Sequence, residues 1–385
     1  MTTSVEHRVA FATPSIGDAE IEEVVAVLKS GWLSTGPRVA EFERAFGAYC
    51  GAPHAVAVNS CTAGLHLSLL ASGVGPGDEV VTSPLTFCAT ANVIVHVGAT
   101  PVFADVDAVT MNLSAGAAAS AMTSRTRALL PVHFAGRPAA SAAFRRTADR
   151  EGVALIEDAA HCVEGITASA KVGSIADFTC FSFYATKNLT TGEGGMVTTS
   201  SAEWADRVRV ASLHGMSRDG WSRYTEGGPS TYDVVTAGFK YNMTDLQAAL
   251  GLHQLAGIER RLLRREAIWR LYDAGLAGLP LSLPPPVSPG DRHARHLYTI
   301  LVDKAECGWT RDQLQAALSE RGIATSIHFK ALHLHSFYAD RYRFREGMFP
   351  VAEAISARTL SLPLSAALTD QDAERVVAAV HGCLR

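Results

Sequence analysis

Between residues 55 and 199, short apolar runs recur with helix-like segments between most of them. The runs are Ala55–Asn59, Glu79–Thr82, Pro101–Ala104, Ala128–Val132, Val153–Glu157, Phe178–Phe183 and Gly195–Thr199. Continuous apolar runs of this length read as strands buried on both faces. Their alternation with helical patterns predicts βα units and a largely parallel sheet, hence an α/β fold. Right-handed crossovers place the carboxyl ends of parallel strands on one side, so residues just after them converge there. Asn59–Gly64, Thr86–Phe87, His133–Phe134, Asp158 and Ser182 all fall at such ends.

The pattern changes after about residue 245. A long helical stretch runs from Asp245 through the basic run Arg260–Arg265, read as a solvated helix face, and Leu283–Asp291 punctuates the chain with prolines and a glycine. A strand (His296–Val302), a helix (Thr310–Arg321), a strand-like segment (Ala324–Phe329) and a terminal helix (Thr369–Leu384) follow. The expected division is a large domain over 12–255 and a smaller α+β C-terminal domain over 256–385, with segment 1–11 assigned to neither.

Composition narrows the function classes. A chain of 385 residues with 48% hydrophobic and 19% charged content has the profile of a soluble globular protein. A formal net charge of -4 gives no nucleic-acid footprint. No apolar run approaches the roughly 20 residues that span a bilayer, and Met1–Ala12 lacks the pattern of a secretory signal. The seven cysteines are scattered and have no CxxC spacing, which argues against a zinc site or a disulfide framework and for a reducing cytoplasm.

Lys187 carries the most specific chemistry. It lies in Phe181–Gly195, where a strand-like run ends in Ser182 and a Gly-rich turn leads to the next strand. A solvated loop lysine is the ordinary reading of such a position. At the mouth of an α/β sheet, however, desolvation disfavours the ammonium form, and a neutral amine captures an aldehyde. Asp158, just past the apolar run Val153–Glu157, is its counterpart. Pyridoxal phosphate (PLP) needs a carboxylate against its pyridine nitrogen, since a protonated ring is the better electron sink. As a lone residue Asp158 reads equally well as a helix N-cap. Lys187, Asp158 and the glycines together favour the cofactor.

The remaining cofactor residues follow from position. Ser60–Gly64 ends a strand and opens a helix, whose N-terminus suits an anion, although Ser60 or Thr62 can equally be an ordinary cap. Ser182 offers a hydroxyl nearby. Phe87 can stack on a pyridine face or belong to the core. His161, one helical turn beyond Asp158, can reach the ring oxygen, buttress Asp158, or be an ordinary buried or surface histidine.

Taken in order, Gly31–Pro37, Asn59–Leu67, Leu85–Phe87, Glu157–His161, Phe181–Gly195 and Gly238–Asp245 resemble the DegT/DnrJ/EryC1/StrS aminotransferases from about Phe11 onward. These are fold-type-I PLP enzymes that aminate nucleotide-linked keto sugars. The resemblance implies a PLP-dependent transferase fold with a mostly parallel seven-stranded sheet. It implies Lys187 as the covalent anchor of PLP, Asp158 on the ring nitrogen, Thr62, Ala63 and Ser182 at the phosphate, and Phe87 on the ring. It also implies that Asn242 reaches the phosphate of the other subunit, which makes a homodimer with shared sites the catalytic unit. L-Glutamate is the implied amino donor.

The sugar dehydratases of this family carry His in place of the lysine, so Lys187 favours transamination. Thr325–His335 resembles the sugar-facing segment of the branch that aminates C4, which points to a nucleotide-linked 4-keto-6-deoxy sugar contacted by His328. Trp32, Thr35 and Lys240 are expected in the floor for sugar and nucleotide. The alternatives are amination at C3, an aminocyclitol ketone as acceptor, a PLP sugar dehydratase, and a non-catalytic regulatory homologue.

Overall fold

The computed structural model describes residues 8–168, 170–217 and 232–384. Its centre is a seven-stranded sheet: β1 (His54–Val58), β2 (Glu79–Thr82), β3 (Thr100–Phe103), β4 (Thr126–Leu130), β5 (Ala154–Asp158), β8 (Phe178–Ser182) and β9 (Gly195–Thr199). Two short strands, β6 (Ile166–Thr167) and β7 (Ala170–Lys171), form a separate ribbon. The order across the large sheet is β1-β9-β8-β5-β4-β2-β3. The pairs β8/β5, β5/β4, β4/β2 and β2/β3 are parallel, whereas β9 runs antiparallel to both β1 and β8. The expected α/β fold with a mostly parallel sheet is thus the observed one, each apolar run forming a strand within a residue or two.

The sheet is apolar because helices cover both faces. One cluster packs the helix Cys61–Ala71 through Leu65, Leu67 and Leu69 against Val56, Ile156, Phe178 and Val197. On the other side Phe42 and Phe46, from the helix Pro37–Cys50, meet Phe181, Phe183 and Met243. A further cluster is built from Ile268, Tyr272, Tyr298, Leu314 and Val376 and takes in Val9 near the N-terminus.

Three expectations for the C-terminal part are corrected. Ala324–Phe329 is not a strand: only Ser326 makes a bridge, to Ser361. The strand that pairs antiparallel with β10 (Tyr298–Leu301) is β11 (Thr359–Leu362), a short run between a helix and Pro363 with too little alternation to stand out. The helical stretch after Asp245 is two helices, Asp245–Ala256 and Ile258–Leu276, divided at Gly257. Nor is Arg260–Arg265 wholly solvated. Arg261 and Arg265 are four apart, so they share one helix face, and that face is buried.

Arg261 pairs with Glu20 at 2.7 Å, and Arg265 pairs with Glu164, a fully buried carboxylate. Glu164 also accepts from Asn188 Nδ2 at 2.9 Å, beside Lys187. Removing one member of a buried pair leaves the other charge desolvated without compensation. Arg265→Met is therefore expected to destabilise the fold by about 3–5 kcal/mol, read as a lower midpoint of urea unfolding. A loss below about 1 kcal/mol would place the pair in the class of solvent-exposed bridges.

Candidate active site

The parallel strands β2, β3, β4, β5 and β8 end at one edge of the sheet, and β1 ends there too. Because β9 is reversed, its first residue, Gly195, lies at that same edge, opposite Val58 and Ser182. The connection from β8 to β9 therefore stays at the edge, and it contains Lys187. Phe183 O accepts from Thr191 N at 2.9 Å, and Thr190 Oγ1 accepts from Gly192 N at 2.9 Å, where Gly192 has φ +78°. Gly195 is required for a different reason. A Cβ there would stand 2.5 Å from the carbonyl carbon of Ser60, so glycine lets the backbone of Ser60 and Cys61 lie directly on β9.

That close approach aims the helix Cys61–Ala71 at the cleft. Ser60 caps it, Oγ accepting from Ala63 N at 3.1 Å. The first N–H groups of a helix have no intrahelical partner and carry its positive dipole end, a setting for an anion.

The cleft has a volume of about 380 Å³, within the few-hundred-Å³ range of small-molecule sites. Of the residues expected from sequence, Thr62, Phe87, Asp158, His161, Ser182, Lys187 and His328 line it together. Ala63 lies one residue deeper in the helix, with its N–H on the Ser60 cap. The other four lie outside the lining of this chain's own cleft. Trp32 Nε1 donates to Thr35 O at 3.0 Å, Asn242 Nδ2 donates to Thr35 Oγ1 at 2.7 Å, and Thr35 Oγ1 donates to Met243 O at 2.6 Å. Lys240 adjoins them, its carbonyl accepting from Asn59 Nδ2 at 3.3 Å. Trp32, Thr35 and Lys240 thus do not floor the cleft within one subunit, because they sit with Asn242 beyond the β1 edge.

Electrostatics sharpen the picture. Burial pushes the Lys187 ammonium down to about 8, outweighing the opposing pull of Asp158 and Cys61. His328 is pushed down to about 4 by burial and then by Lys187. Burial, Lys187, His296 and His328 hold His161 well below the usual histidine range. The imidazoles near the lysine are therefore neutral at physiological pH. Asp158 Oδ2 accepts from Thr90 Oγ1 at 2.8 Å, and Oδ1 accepts from Ala160 N at 3.1 Å. Cys61 Sγ lies 3.8 Å from Oδ1; burial and the nearby Asp158 hold its thiol far above the usual range, so it stays a donor.

Several participants have no role of their own in the sequence reading, although Cys61, Thr86 and Phe329 lie in segments it placed at the site. Cys61, Thr86, Tyr184, Glu193 and Phe329 line the cleft, and Thr90 supports Asp158 from behind. The His296 ring lies 4.4 Å from that of His161, tilted by 38°, and its Nδ1 lies 3.0 Å from Asn188 Oδ1. Asn188 Nδ2 already donates to Glu164 and to Ala294 O, so Oδ1 is an acceptor and His296 Nδ1 carries the hydrogen.

The residues present fit PLP. A partly neutral lysine amine faces a carboxylate across the cleft, a capped helix N-terminus borders it, and exposed Phe87 offers a ring face. His161 Nδ1 is buried without a hydrogen-bond partner, and such an orphan calls for a polar ligand.

Comparison with known proteins agrees with this geometry. The chain is 48% identical over 386 residues, covering 100% of it and 99% of the relative, to the spore coat polysaccharide biosynthesis protein SpsC of Bacillus subtilis (strain 168). A Streptococcus pneumoniae protein assigned as the sugar aminotransferase Spr1654 and solved in its PMP-form superposes with a TM-score of 0.91 at 34% identity, covering 97% of this chain and 98% of that one. Helicobacter pylori PseC, an aminotransferase involved in the biosynthesis of pseudoaminic acid, superposes with a TM-score of 0.90 at 27% identity, covering 98% and 99%. The model of the DegT/DnrJ/EryC1/StrS aminotransferase family matches residues 14–381. With the fold, the cleft and these matches in agreement, the chain belongs to the DegT/DnrJ/EryC1/StrS aminotransferase family, whose cofactor, pyridoxal phosphate, its site fits.

Proposed function

We propose that the ketone this aminotransferase aminates is a nucleotide-linked 4-keto-6-deoxy hexose, that the amine goes to C4, and that L-glutamate supplies it. The observation that carries the reading is the meeting of Lys187, Asp158 and His328 in one cleft, with His328 and Phe329 brought from the C-terminal part to face the lysine. When bound, PLP supplies an electron sink and carries the amino group between donor and acceptor. Lys187 anchors it through Nζ, and the freed Nζ then holds and moves the proton. Asp158 receives the ring N–H. The N-terminus of the helix Cys61–Ala71, with Thr62, Ala63 and Ser182, takes the phosphate. Phe87 packs on the ring, and His161, whose Nδ1 is unpartnered, turns toward a polar group of the ring. His328 is a neutral contact for the sugar. The division into domains 12–255 and 256–385 belongs to the same reading, with the cleft between them.

In this reading the enzyme is a homodimer. Asn242, with Trp32, Thr35 and Lys240, serves the partner's cleft. Their clustering beyond the β1 edge, away from the cleft of their own chain, supports that assignment.

The lysine is expected to show its lowered basicity directly. The free amine, which captures PLP, forms as pH rises through about 8. The rate at which the apoprotein develops the visible band of bound PLP should rise with pH and level off above that value. A midpoint near about 10, that of a solvated lysine, would contradict it. Lys187→Ala should still bind PLP without the covalent link and lose at least about 10⁴-fold in turnover; near-wild-type turnover would refute the role.

Sharing of sites is checked by mixing. Heterodimers of inactive Lys187→Ala and inactive Asn242→Ala subunits should recover activity, since one of their two sites then has both native residues. Verified heterodimers without recovery would show that Asn242 acts within its own chain.

Acceptor and position are read from the product. The enzyme, glutamate and a 4-keto-6-deoxy sugar nucleotide should yield a 4-amino sugar nucleotide by NMR. Amination at C3, or turnover only with a free cyclitol ketone, would replace the proposal by one of those alternatives.

A further inference from the structure

The Asp158 carboxylate is held by a chain of hydroxyls. Thr90 Oγ1 donates to Asp158 Oδ2 at 2.8 Å, and Thr86 Oγ1 lies 2.9 Å from Thr90 Oγ1. A carboxylate has only acceptors to offer, and a hydroxyl has one hydrogen. Thr90 directs its hydrogen to Asp158, so Thr86 must donate to Thr90. The chain therefore runs one way, from Thr86 through Thr90 to Asp158. Both threonines are buried, which shields the hydroxyls from solvent.

Local structure sets this up. Thr86 and Thr90 are four residues apart at the start of the helix Cys88–His96, and Thr90 N donates to Phe87 O at 3.2 Å. The turn that leaves Phe87 in the cleft thus carries Thr90 inward, under Asp158. On the other side of the carboxylate, Oδ1 accepts from Ala160 N at 3.1 Å, while the single hydrogen of the Cys61 thiol, 3.8 Å from Oδ1, has a closer acceptor in Cys180 O at 3.4 Å. A carboxylate has about four lone-pair positions, two on each oxygen. One on Oδ1 is used by Ala160 N and one on Oδ2 by Thr90, which leaves Oδ2 a single open position.

We propose that Thr90 is a positioning residue: its hydroxyl, aligned by Thr86, fixes Asp158 Oδ2 so that the lone pair left on that oxygen receives the ring N–H of PLP. The proposal rests on the reading that Asp158 pairs with the ring nitrogen. Without the Thr90 hydroxyl, Oδ2 has two positions to offer and loses a hydrogen bond that supports its charge. The proton then resides less completely on the ring. A less positive ring repels a proton on the Lys187 nitrogen less, so that nitrogen keeps its proton to higher pH.

The test compares Thr90→Val, Thr90→Ser and Thr86→Val with Asp158→Asn. For each, the pH midpoint of the bound cofactor's visible band, the Kd of PLP for the apoprotein, and kcat and KM are measured. Thr90→Val, which keeps the volume but not the hydroxyl, should raise the midpoint, weaken PLP by about tenfold and lower kcat by about tenfold with KM little changed. Thr90→Ser, which keeps the hydroxyl, should stay within about twofold of wild type. Thr86→Val should shift the same quantities in the same direction by less. A packing role predicts the opposite ranking: Thr90→Ser, which loses the methyl group, would be the more damaging change, and the midpoint would not move. That result overturns the proposal. If Asp158→Asn shifts the midpoint and Thr90→Val does not, the Thr90 role alone falls. If Asp158→Asn changes neither midpoint nor Kd, the reading of Asp158 falls and takes the Thr90 role with it. Should Thr90→Val fail to fold, Thr86→Val decides: a raised midpoint supports the chain of hydroxyls, and an unchanged one overturns it.

Discussion

The reversal of one strand organises this molecule. Were β9 parallel to β8, the chain between them would have to cross the sheet, and Lys187 would leave the edge where the other functional groups collect. Because β9 is antiparallel, the connection stays at the edge and the lysine projects where β5 delivers Asp158 and β1 delivers the helix Cys61–Ala71. The reversal in turn demands Gly195. Its missing side chain is the space occupied by Ser60 and Cys61, so strand direction, helix position and the anion-facing helix terminus depend on one backbone contact.

Around that contact the cleft sorts charge by burial. A lysine, an aspartate and histidines occupy a region too dry to support several like charges at once. Burial resolves the conflict in one direction: the imidazoles are neutral, and the lysine gives up its proton at about 8. Asp158 is treated differently because donors hold it, a hydroxyl and a backbone N–H. The same cleft therefore holds a nucleophilic amine and a carboxyl group ringed by hydrogen-bond donors.

This explains what the sequence could reveal. Strands buried on both faces leave continuous apolar runs, so β1 to β5, β8 and β9 were legible, and residues at their ends could be placed beside one another. Lys187, Asp158 and Ser60–Gly64 are each ambiguous alone, and it is their combination at converging strand ends that named their chemistry. Thr90 and His296 were not legible, because their partners lie 68 and 108 residues away in sequence and only packing brings them together. β11 escaped notice because four residues ending at a proline show no usable period. Arg261 and Arg265 were misread because a basic run looks solvated unless the carboxylates that bury with it, Glu20 and Glu164, are known. Trp32, Thr35 and Lys240 were expected in the floor of the cleft, but a single chain does not bring them to its own cleft and gathers them with Asn242 instead.

The buried ion pairs connect these observations. Arg265 belongs to the helix Ile258–Leu276, Glu164 follows the β5 edge, and Asn188 is covalently next to Lys187. The series Arg265, Glu164, Asn188 and His296 therefore ties the long C-terminal helix to the backbone that carries the lysine. Its members are directional: the guanidinium only donates, Glu164 only accepts, and Asn188 turns its amide toward Glu164 and its oxygen toward His296. His296 must then hold its hydrogen on Nδ1 and remain neutral beside His161. A series with fixed donor order cannot slip by one partner without leaving a buried group unsatisfied. The charge that looked like surface decoration in Arg260–Arg265 thus fixes the register of the residue next to the lysine, and with it the face that Lys187 presents to the cleft.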